Sequence, residues 1–326
     1  MARTITPCRT LGSSVAVLGA ALALALAGCG EQRAPLSGSI AVDGSRTLAP
    51  LTRAVVRRFM AQNPHVRIAV AASGTDAGFA RLCRGEIDAS DASNAPGARA
   101  RAACTRAGVA VQPIAVAADA VVLVVNRGNP VRCLTTAQLF QVWRGNSDVT
   151  GSWTQIADLE SSYAGELIAW GPGTETETFA SFNAAVTGRR AGYRDYNNEL
   201  GRESDVITGI AGEAGAIGYV DYPVLRQRAG AVKALAIDSG RGCVAPTAQT
   251  IADGSFRPLA RKLFVYASAK ALARPALAAF LRFYLDNVET IAPKLGFVPP
   301  TPAQARASKA ALARAAAAGR SPASAG

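Results

Sequence analysis

Residues 39–92 alternate strand and helix patterns, and this alternation constrains the fold more than any other feature of the chain. A β-rich run at 39–42 precedes a stretch, 50–62, whose apolar residues follow the 3.6-residue period of a helix. A second strand pattern at 66–71 leads into a helix with Phe79 on its apolar face. A short strand then ends in a turn of small residues at 88–92. The β-α-β-α-β order predicts an α/β layered fold.

The rest of the chain continues the same alternation. Its 326 residues allow one large or two medium domains, and 49% apolar residues can bury a sizeable core. The apolar stretch 109–125 predicts either two strands or one strand that passes between two lobes. Further strands are expected at 167–170, 216–220 and 261–268, and short helices or turns at 135–143 and 152–159. One helix is expected to begin within 171–178 and to run to about 185. Others are expected at 205–212, at 276–287 and in the first half of the tail from 302.

The N-terminus has the pattern of an export signal. Arg3 and Arg9 precede an apolar run, 15–27, that is too short to span a membrane. The run ends Leu-Ala-Gly-Cys at 26–29, which resembles the bacterial lipobox. We therefore expect a lipoprotein signal peptide at 1–28, a lipid on Cys29 and a tether at 29–38, which would anchor the protein on the outer side of the cell membrane, in the periplasm or at the cell surface. The alternative is an ordinary cleaved signal that ends near a cysteine.

Cysteine usage agrees with export. Apart from Cys8 in the signal and Cys29, four cysteines remain, an even number that predicts two disulfides in an oxidising compartment. They are Cys83, Cys104, Cys133 and Cys243. Spacing alone leaves all three pairings open.

The composition disfavours several classes of function. The one histidine, His65, would have to serve every histidine-dependent nucleophile or zinc site, and neither C-x-x-C nor a phosphate-binding P-loop is present. We therefore expect no enzymatic activity, no metal and no cofactor. The net charge of +12 is spread along the chain without interleaved aromatic residues, so we expect no nucleic-acid partner.

Three short segments indicate an oxyanion site. Residues 44–47, 73–75 and 174–178 each lie between a strand and a helix and are rich in small and hydroxyl-bearing residues. Unpaired N–H groups at a helix N-terminus attract anions, and ligands of open α/β sheets lie beyond the carboxyl ends of strands. Any one segment could be an ordinary helix cap. Asp91 is either a capping residue or the acceptor of a proton carried by the anion, as in protonated phosphate.

These segments resemble the motifs of the PstS-type phosphate-binding lipoproteins of ABC transporters. The resemblance runs from about 39 to 300, and its motifs are 42–52 (VDGSRTLAPLT), 73–79 (SGTDAGF), 86–93 (EIDASDAS), 171–179 (GPGTETETF), 194–196 (RDY), 215–219 (GAIGY) and 242–246 (GCVAP). It implies a two-lobed periplasmic-binding-protein fold in which a mixed sheet flanked by helices forms each lobe and a hinge joins the lobes. We assign 39–114 and 262–326 to lobe 1 and 115–261 to lobe 2.

The resemblance also implies a function and a set of site residues. The protein would capture inorganic phosphate between its lobes and deliver it, as a monomer, to the permease of an ABC importer. The implied phosphate ligands are Ser45, Thr47, Leu48, Ser73, Thr75, Asp91, Thr176, Thr178 and Arg194. The family's cysteine positions favour the pairs Cys83–Cys104 and Cys133–Cys243.

Three positions depart from the family pattern at the site. Arg46 replaces a serine, Asp76 replaces a glycine, and Glu177 replaces a glycine where backbone meets ligand. The two acidic residues could repel a dianion, and Arg46 could offset one of them. The alternatives are therefore a family member that binds another oxyanion or acts as a sensor and, more remotely, an extracellular phosphatase.

Overall fold

The predicted order of the N-terminal region is confirmed in a computed structural model, which describes residues 35–149, 151–161, 163–188 and 198–319. The first elements are β1 (Gly38–Gly44), α1 (Ala49–Gln62), β2 (Val66–Val70), α2 (Thr75–Cys83), β3 (Ala89–Ala92) and α3 (Ala98–Arg106). Strand β1 lies between β2 and β3, and all three run parallel. The predicted motifs after β1 and β2 therefore end at the same edge of the sheet.

One prediction in this region is wrong. Residues 88–92 were expected to form a turn, but Ala89–Ala92 is a fully buried strand. It pairs with β1 on one side and with a later strand, β12 (Ala260–Ser268), on the other. Small residues are typical of turns, but here they fit a strand that the neighbouring strands and α2 cover closely.

The apolar stretch 109–125 forms a single long strand, β4 (Val111–Val125). Its first part pairs antiparallel with β12, from Val111 opposite Ser268 to Ala120 opposite Ala260. Its last five residues pair with β8 (Ala216–Asp221). Of the two sequence-based alternatives, one strand passing between lobes is therefore correct.

The remaining elements include the strands and helices predicted near 167–170, 205–212, 216–220, 276–287 and from 302, together with short strands and helices that the sequence patterns did not predict. They are β5 (Cys133–Thr135), α4 (Thr136–Trp143), a 3₁₀ turn (Trp153–Gln155), β6 (Ile168–Pro172), α5 (Glu177–Val186), β7 (Asn198–Leu200), α6 (Glu203–Gly212), α7 (Tyr222–Gln227), β9 (Lys233–Ala234), β10 (Ala236–Asp238), β11 (Cys243–Val244), α8 (Ala248–Ala252), α9 (Ala269–Leu272), α10 (Pro275–Ile291), a 3₁₀ turn (Ala292–Leu295) and α11 (Pro302–Ala318). The main sheet has the order β2-β1-β3-β12-β4-β8-β6-β7, and β5, β10 and β11 form a small second sheet.

Two large hydrophobic cores lie along the main sheet, and a smaller cluster contains Cys83 and Cys104. In the first, Phe59 of α1 packs edge-on against Phe280 of α10, with ring centroids 5.5 Å apart. In the second, Phe182 of α5 stacks on Tyr219 of β8 at 3.8 Å. Each core is built from parallel and antiparallel strands covered by helices, so the fold is two-lobed, as predicted.

Both disulfides implied by the family resemblance are present. Cys83 bonds Cys104, joining α2 to α3, and Cys133 bonds Cys243 within the small sheet. The second bridge closes a loop of 110 residues, so it restricts the unfolded chain strongly. Across the described part of the chain, no helix is both long enough and apolar enough to cross a membrane.

Candidate functional site

The loop after β1 is held by a buried carboxylate, Asp43, which the sequence analysis did not single out. Its Oδ1 accepts hydrogen bonds from the backbone N–H groups of Gly44 (2.7 Å) and Ser73 (2.8 Å). Its Oδ2 accepts from the Ser73 hydroxyl (2.8 Å) and from Arg81 (2.5 Å). Burial raises the pKa of Asp43, but these hydrogen bonds outweigh it and hold the pKa below its usual value. Asp43 thereby joins the loops after β1 and β2.

The donors that these loops present converge on one carboxylate from the other lobe. The Ser45 hydroxyl (2.7 Å) and the Thr47 N–H (3.1 Å) donate to Oε2 of Glu177. The backbone N–H and the hydroxyl of Thr75 donate to Oε1, each at 2.8 Å. Three residues that were predicted to bind phosphate therefore lie together, and all three bind Glu177.

Glu177 projects from the first residue of α5, where Thr176 caps the helix by accepting a hydrogen bond from the Phe179 N–H (3.1 Å). Burial raises the pKa of Glu177, but the hydrogen bonds from Ser45, Thr75 and the Thr47 N–H outweigh it, and the pKa lies below its usual value. Glu177 is therefore an anion at neutral pH, and the site has the chemistry of an oxyanion receptor.

Asp91 lies at the end of β3, fully buried beside this receptor. Neither of its carboxyl oxygens has a hydrogen-bond partner among the described residues. Burial raises its pKa to about 7; the nearby Thr52 hydroxyl, which pairs with Tyr284, lowers it, and the negative charge of Glu177 raises it further. A buried polar group without a partner is unfavourable, so Asp91 is suited to a ligand that can donate a proton to it.

The other predicted ligands make different contacts. The Ser73 hydroxyl is taken by Asp43, and the Leu48 N–H donates to the Ser45 hydroxyl oxygen (3.2 Å). The Thr176 hydroxyl caps α5, and the Thr178 hydroxyl donates to Glu203. Arg194 lies outside the described residues.

Two of the three departures from the family pattern form their hydrogen bonds outside the receptor. Asp76 accepts a hydrogen bond from the Gly97 N–H (2.8 Å), so it stabilises the start of α3. Arg46 donates to the backbone carbonyl of Glu175 (3.3 Å) across the cleft. Only Glu177 enters the site.

A buried ionic cluster that no sequence motif indicates lies between the lobes next to the receptor. Arg261 of β12 binds Asp119 of β4 (2.8 Å) and Asp221 at the end of β8 (2.6 Å). The other Asp221 oxygen accepts from the Thr47 hydroxyl (3.1 Å). Thr47 therefore connects the oxyanion receptor to this cluster. The sequence gives little indication of this cluster, because each of its residues lies on a different strand or strand end.

Glu203, the first residue of α6, completes the cluster. It accepts hydrogen bonds from the Asp221 N–H (2.6 Å) and from the Thr178 hydroxyl. Burial raises its pKa to about 8, and the charges of Asp221 and Asp119 add to the effect. The pKa of Asp119 is raised to about 7 by burial and by Asp221, although Arg261 opposes the shift.

This cluster and Asp91 together predict how stability depends on pH. Asp91 and Asp119, with pKa values of about 7, and Glu203, at about 8, keep protons in the folded protein that the unfolded chain loses near pH 4. The folded state therefore binds more protons between pH 4 and 8, and stability falls as pH rises through this window. We expect the melting temperature to be several degrees higher at pH 5 than at pH 8.

Thermal melts at pH 5, 6, 7 and 8 and constant ionic strength test this expectation. Glu203→Gln removes one of the groups that titrates and should flatten the pH dependence. The opposing groups, Asp43 and Glu177, have lowered pKa values and act below this window. A melting temperature that rises from pH 5 to pH 8 would contradict the assignment.

The described residues contain no group of three or more His, Cys, Asp or Glu side chains arranged to hold a metal ion. A cavity of about 480 Å³ opens beside the receptor. Arg46, Glu177, Glu203 and Asp221 contribute to its lining. The site is thus a cleft between two lobes with converging oxyanion donors.

Known proteins share this architecture. Residues 30–288 match the family described as the PBP superfamily domain. The chain is 33% identical over 263 residues to Protein SphX of Synechococcus elongatus. The aligned region covers 80% of this chain and 77% of that protein. It is 28% identical over 268 residues to the phosphate-binding protein PstS of Staphylococcus epidermidis, which covers 81% of this chain and 79% of that one.

A solved structure described as a possible phosphate binding protein from Planctomyces limnophilus superposes with a TM-score of 0.71 at 30% identity. The match covers 86% of this chain and 99% of that chain. These findings confirm the resemblance found in the motifs. The chain belongs to the PBP superfamily, among the relatives of the PstS-type phosphate-binding proteins.

Proposed function

We propose that this protein captures inorganic phosphate between its two lobes and delivers it to the permease of an ABC importer. The observation that carries the proposal is the convergence of Ser45, Thr47 and Thr75 on a single oxyanion. Two backbone N–H groups and two hydroxyls supply four donors to two oxygens within 3.1 Å. Relatives that are named phosphate-binding proteins support the choice of phosphate.

Asp91 supports phosphate over sulfate. Phosphate carries at least one proton at neutral pH and can donate it to a carboxylate, whereas sulfate carries none. When Asp91 is ionised, this buried, unpartnered carboxylate beside the donors favours the protonated anion and repels its competitor. Thr176, Thr178 and Arg194 remain predicted contacts from the second lobe.

The lobes would close on phosphate by bending at the strands that cross between them. We assign 39–114 and 262–326 to one lobe and 115–261 to the other. The two hydrophobic cores support a division close to these bounds, although the first core extends to Ala117 and the second begins at Ala118 and includes Val298. Both β4 and β12 would then carry the hinge.

We further propose that the protein is an exported, monomeric lipoprotein without enzymatic activity. The lipobox-like residues 26–29 support cleavage before Cys29 and attachment of a lipid to its sulfur. The two disulfides support an oxidising compartment outside the cytoplasm. Mass spectrometry of the membrane-bound protein tests the anchor, since a diacylated N-terminal Cys29 fragment is expected.

Titration calorimetry on protein stripped of bound anion tests the ligand. We expect heat and 1:1 saturation with phosphate and no measurable heat with sulfate at neutral pH. Thr75→Val, which keeps the backbone N–H but removes one hydroxyl donor, should weaken phosphate binding by about tenfold or more. If the folded protein binds another oxyanion but not phosphate, that oxyanion takes the place of phosphate as the proposed ligand.

A further inference from the structure

We propose that Glu177 is a tethered competitor for the oxyanion receptor: its carboxylate holds the two lobes together and must leave before phosphate can enter. The proposal rests on the proposed function for the identity of the entering anion. It concerns a residue at which the family pattern has glycine, so it describes a property particular to this chain.

The first step is the saturation of the donors. Each Glu177 oxygen accepts two hydrogen bonds: Oε1 from the N–H and hydroxyl of Thr75, Oε2 from the Ser45 hydroxyl and the Thr47 N–H. Each of these donors has a single proton. Phosphate oxygens can use the donors only if the carboxylate gives them up.

The second step is the charge. Glu177 is partly buried and its pKa is lowered by the hydrogen bonds that it accepts, so it is ionised at neutral pH. Two anions within a few ångström of each other in a partly buried site repel strongly. Binding of phosphate beside an unmoved Glu177 is therefore unfavourable, and the two must exchange.

The third step is how the lobes are joined. Glu177 stands on α5 in one lobe, while Ser45, Thr47 and Thr75 belong to the other, more than 100 residues away in sequence. Four charge-assisted hydrogen bonds across the cleft favour the closed arrangement. With glycine at this position, the closed arrangement would depend on the bound ligand instead.

Asp91 explains how phosphate can still win this exchange. Glu177 satisfies the four donors but offers no proton to Asp91, whose two oxygens have no partner among the described residues. Protonated phosphate can accept from the donors and donate to Asp91 at once. It thus gains a contact that Glu177 cannot make, and sulfate lacks this advantage.

The neighbouring cavity can receive the displaced side chain. Glu177 already lines this space of about 480 Å³, together with Arg46. The Arg46 guanidinium reaches the backbone of Glu175, two residues from Glu177. Arg46, another of the three departures from the family pattern, is therefore placed to pair with Glu177 once the carboxylate leaves the receptor.

The experiment combines titration calorimetry with small-angle X-ray scattering on anion-stripped protein. Glu177→Gly removes the side chain, and Glu177→Gln keeps its size while losing the charge. Glu175→Gln is the matched control, because it removes the same charge two residues away and keeps the backbone carbonyl that Arg46 binds. We expect both Glu177 variants to bind phosphate about 10- to 100-fold more tightly than the wild type and Glu175→Gln to bind like the wild type.

Scattering reports the lobe arrangement directly. The stripped wild type and Glu175→Gln should be compact and change little on adding phosphate, whereas stripped Glu177→Gly should be expanded and contract with phosphate. A stripped wild type as expanded as Glu177→Gly, or Glu177 variants that bind phosphate no more tightly than Glu175→Gln, would overturn the proposal. If none of the proteins binds phosphate, the proposed function fails, and the difference in compactness still decides whether Glu177 holds the lobes together.

Discussion

Replacing Arg261 with leucine is expected to lower the free energy of unfolding by about 3–5 kcal/mol, the cost of removing one partner of a buried ion pair. Arg261 is 11% exposed and binds two carboxylates, Asp119 and Asp221, that are 0% and 6% exposed. Without the guanidinium, both carboxylates keep the cost of burial and lose the charge that offsets it. The two carboxylates also repel each other, because the negative charge of each raises the pKa of the other.

Chemical denaturation with urea at pH 8 measures this loss, because the higher pH favours the ionised form of the two carboxylates that have lost Arg261. Lys262→Leu is the matched control: it removes a positive charge at the next position of β12, where the side chain is exposed. The control should change stability by less than about 0.5 kcal/mol. Adding Asp119→Asn to Arg261→Leu should recover part of the loss. Equal stability of the two single variants would show that the cluster is solvated rather than buried.

Gly44→Ala is expected to destabilise the protein by several kcal/mol. It should also weaken phosphate binding by about 100-fold or more, which corresponds to the loss of two charge-assisted hydrogen bonds. Gly44 has φ +138°, which side chains rarely adopt, and an added Cβ would lie 2.1 Å from the backbone oxygen of Asp91. That oxygen accepts the Ser45 N–H at 2.8 Å. The clash would therefore move Ser45 and Asp91, both of which belong to the receptor.

Gly74→Ala separates the backbone strain from the clash. Gly74 also has a positive φ, +104°, but a Cβ there would meet no atom within 4 Å. We expect it to cost about 1–3 kcal/mol, the strain of a side chain in this conformation, and to leave phosphate binding within about threefold of the wild type. Thermal melts and calorimetry on both variants provide the comparison. Equal effects of the two substitutions would mean that conformational strain alone, and not the packing of Gly44 on Asp91, governs the site.

Much of the fold was predictable from local sequence patterns. The strand and helix periods located β1, α1, β2 and α2, and the hydroxyl-rich segments located the loops that carry Ser45 and Thr75. These predictions succeed because side-chain periodicity and turn chemistry act within a few residues. The family motifs extended them to the cysteine pairs and to Asp91.

The features that were not predicted depended on neighbours that local patterns do not contain. Residues 89–92 were assigned to a turn from their small side chains, yet pairing with β1 and β12 makes them a central strand. Local patterns likewise do not show that the Ser73 hydroxyl binds Asp43, 30 residues earlier, and the contact of Ser73 with the ligand stays a prediction. In both cases the deciding contact joins distant segments.

The sequence by itself determined the α/β alternation, the family, the oxyanion chemistry of the loops and the fact that Glu177 is unusual. The tertiary structure alone decided that Glu177 enters the receptor while Asp76 and Arg46 form their hydrogen bonds outside it, and that Arg261 binds two buried aspartates, Asp119 and Asp221. The physical reason is separation along the chain: Ser45 meets Glu177 across 132 residues and Arg261 meets Asp119 across 142. Hydrogen bonds and charges act over a few ångström, and only the folded chain brings such residues within that distance.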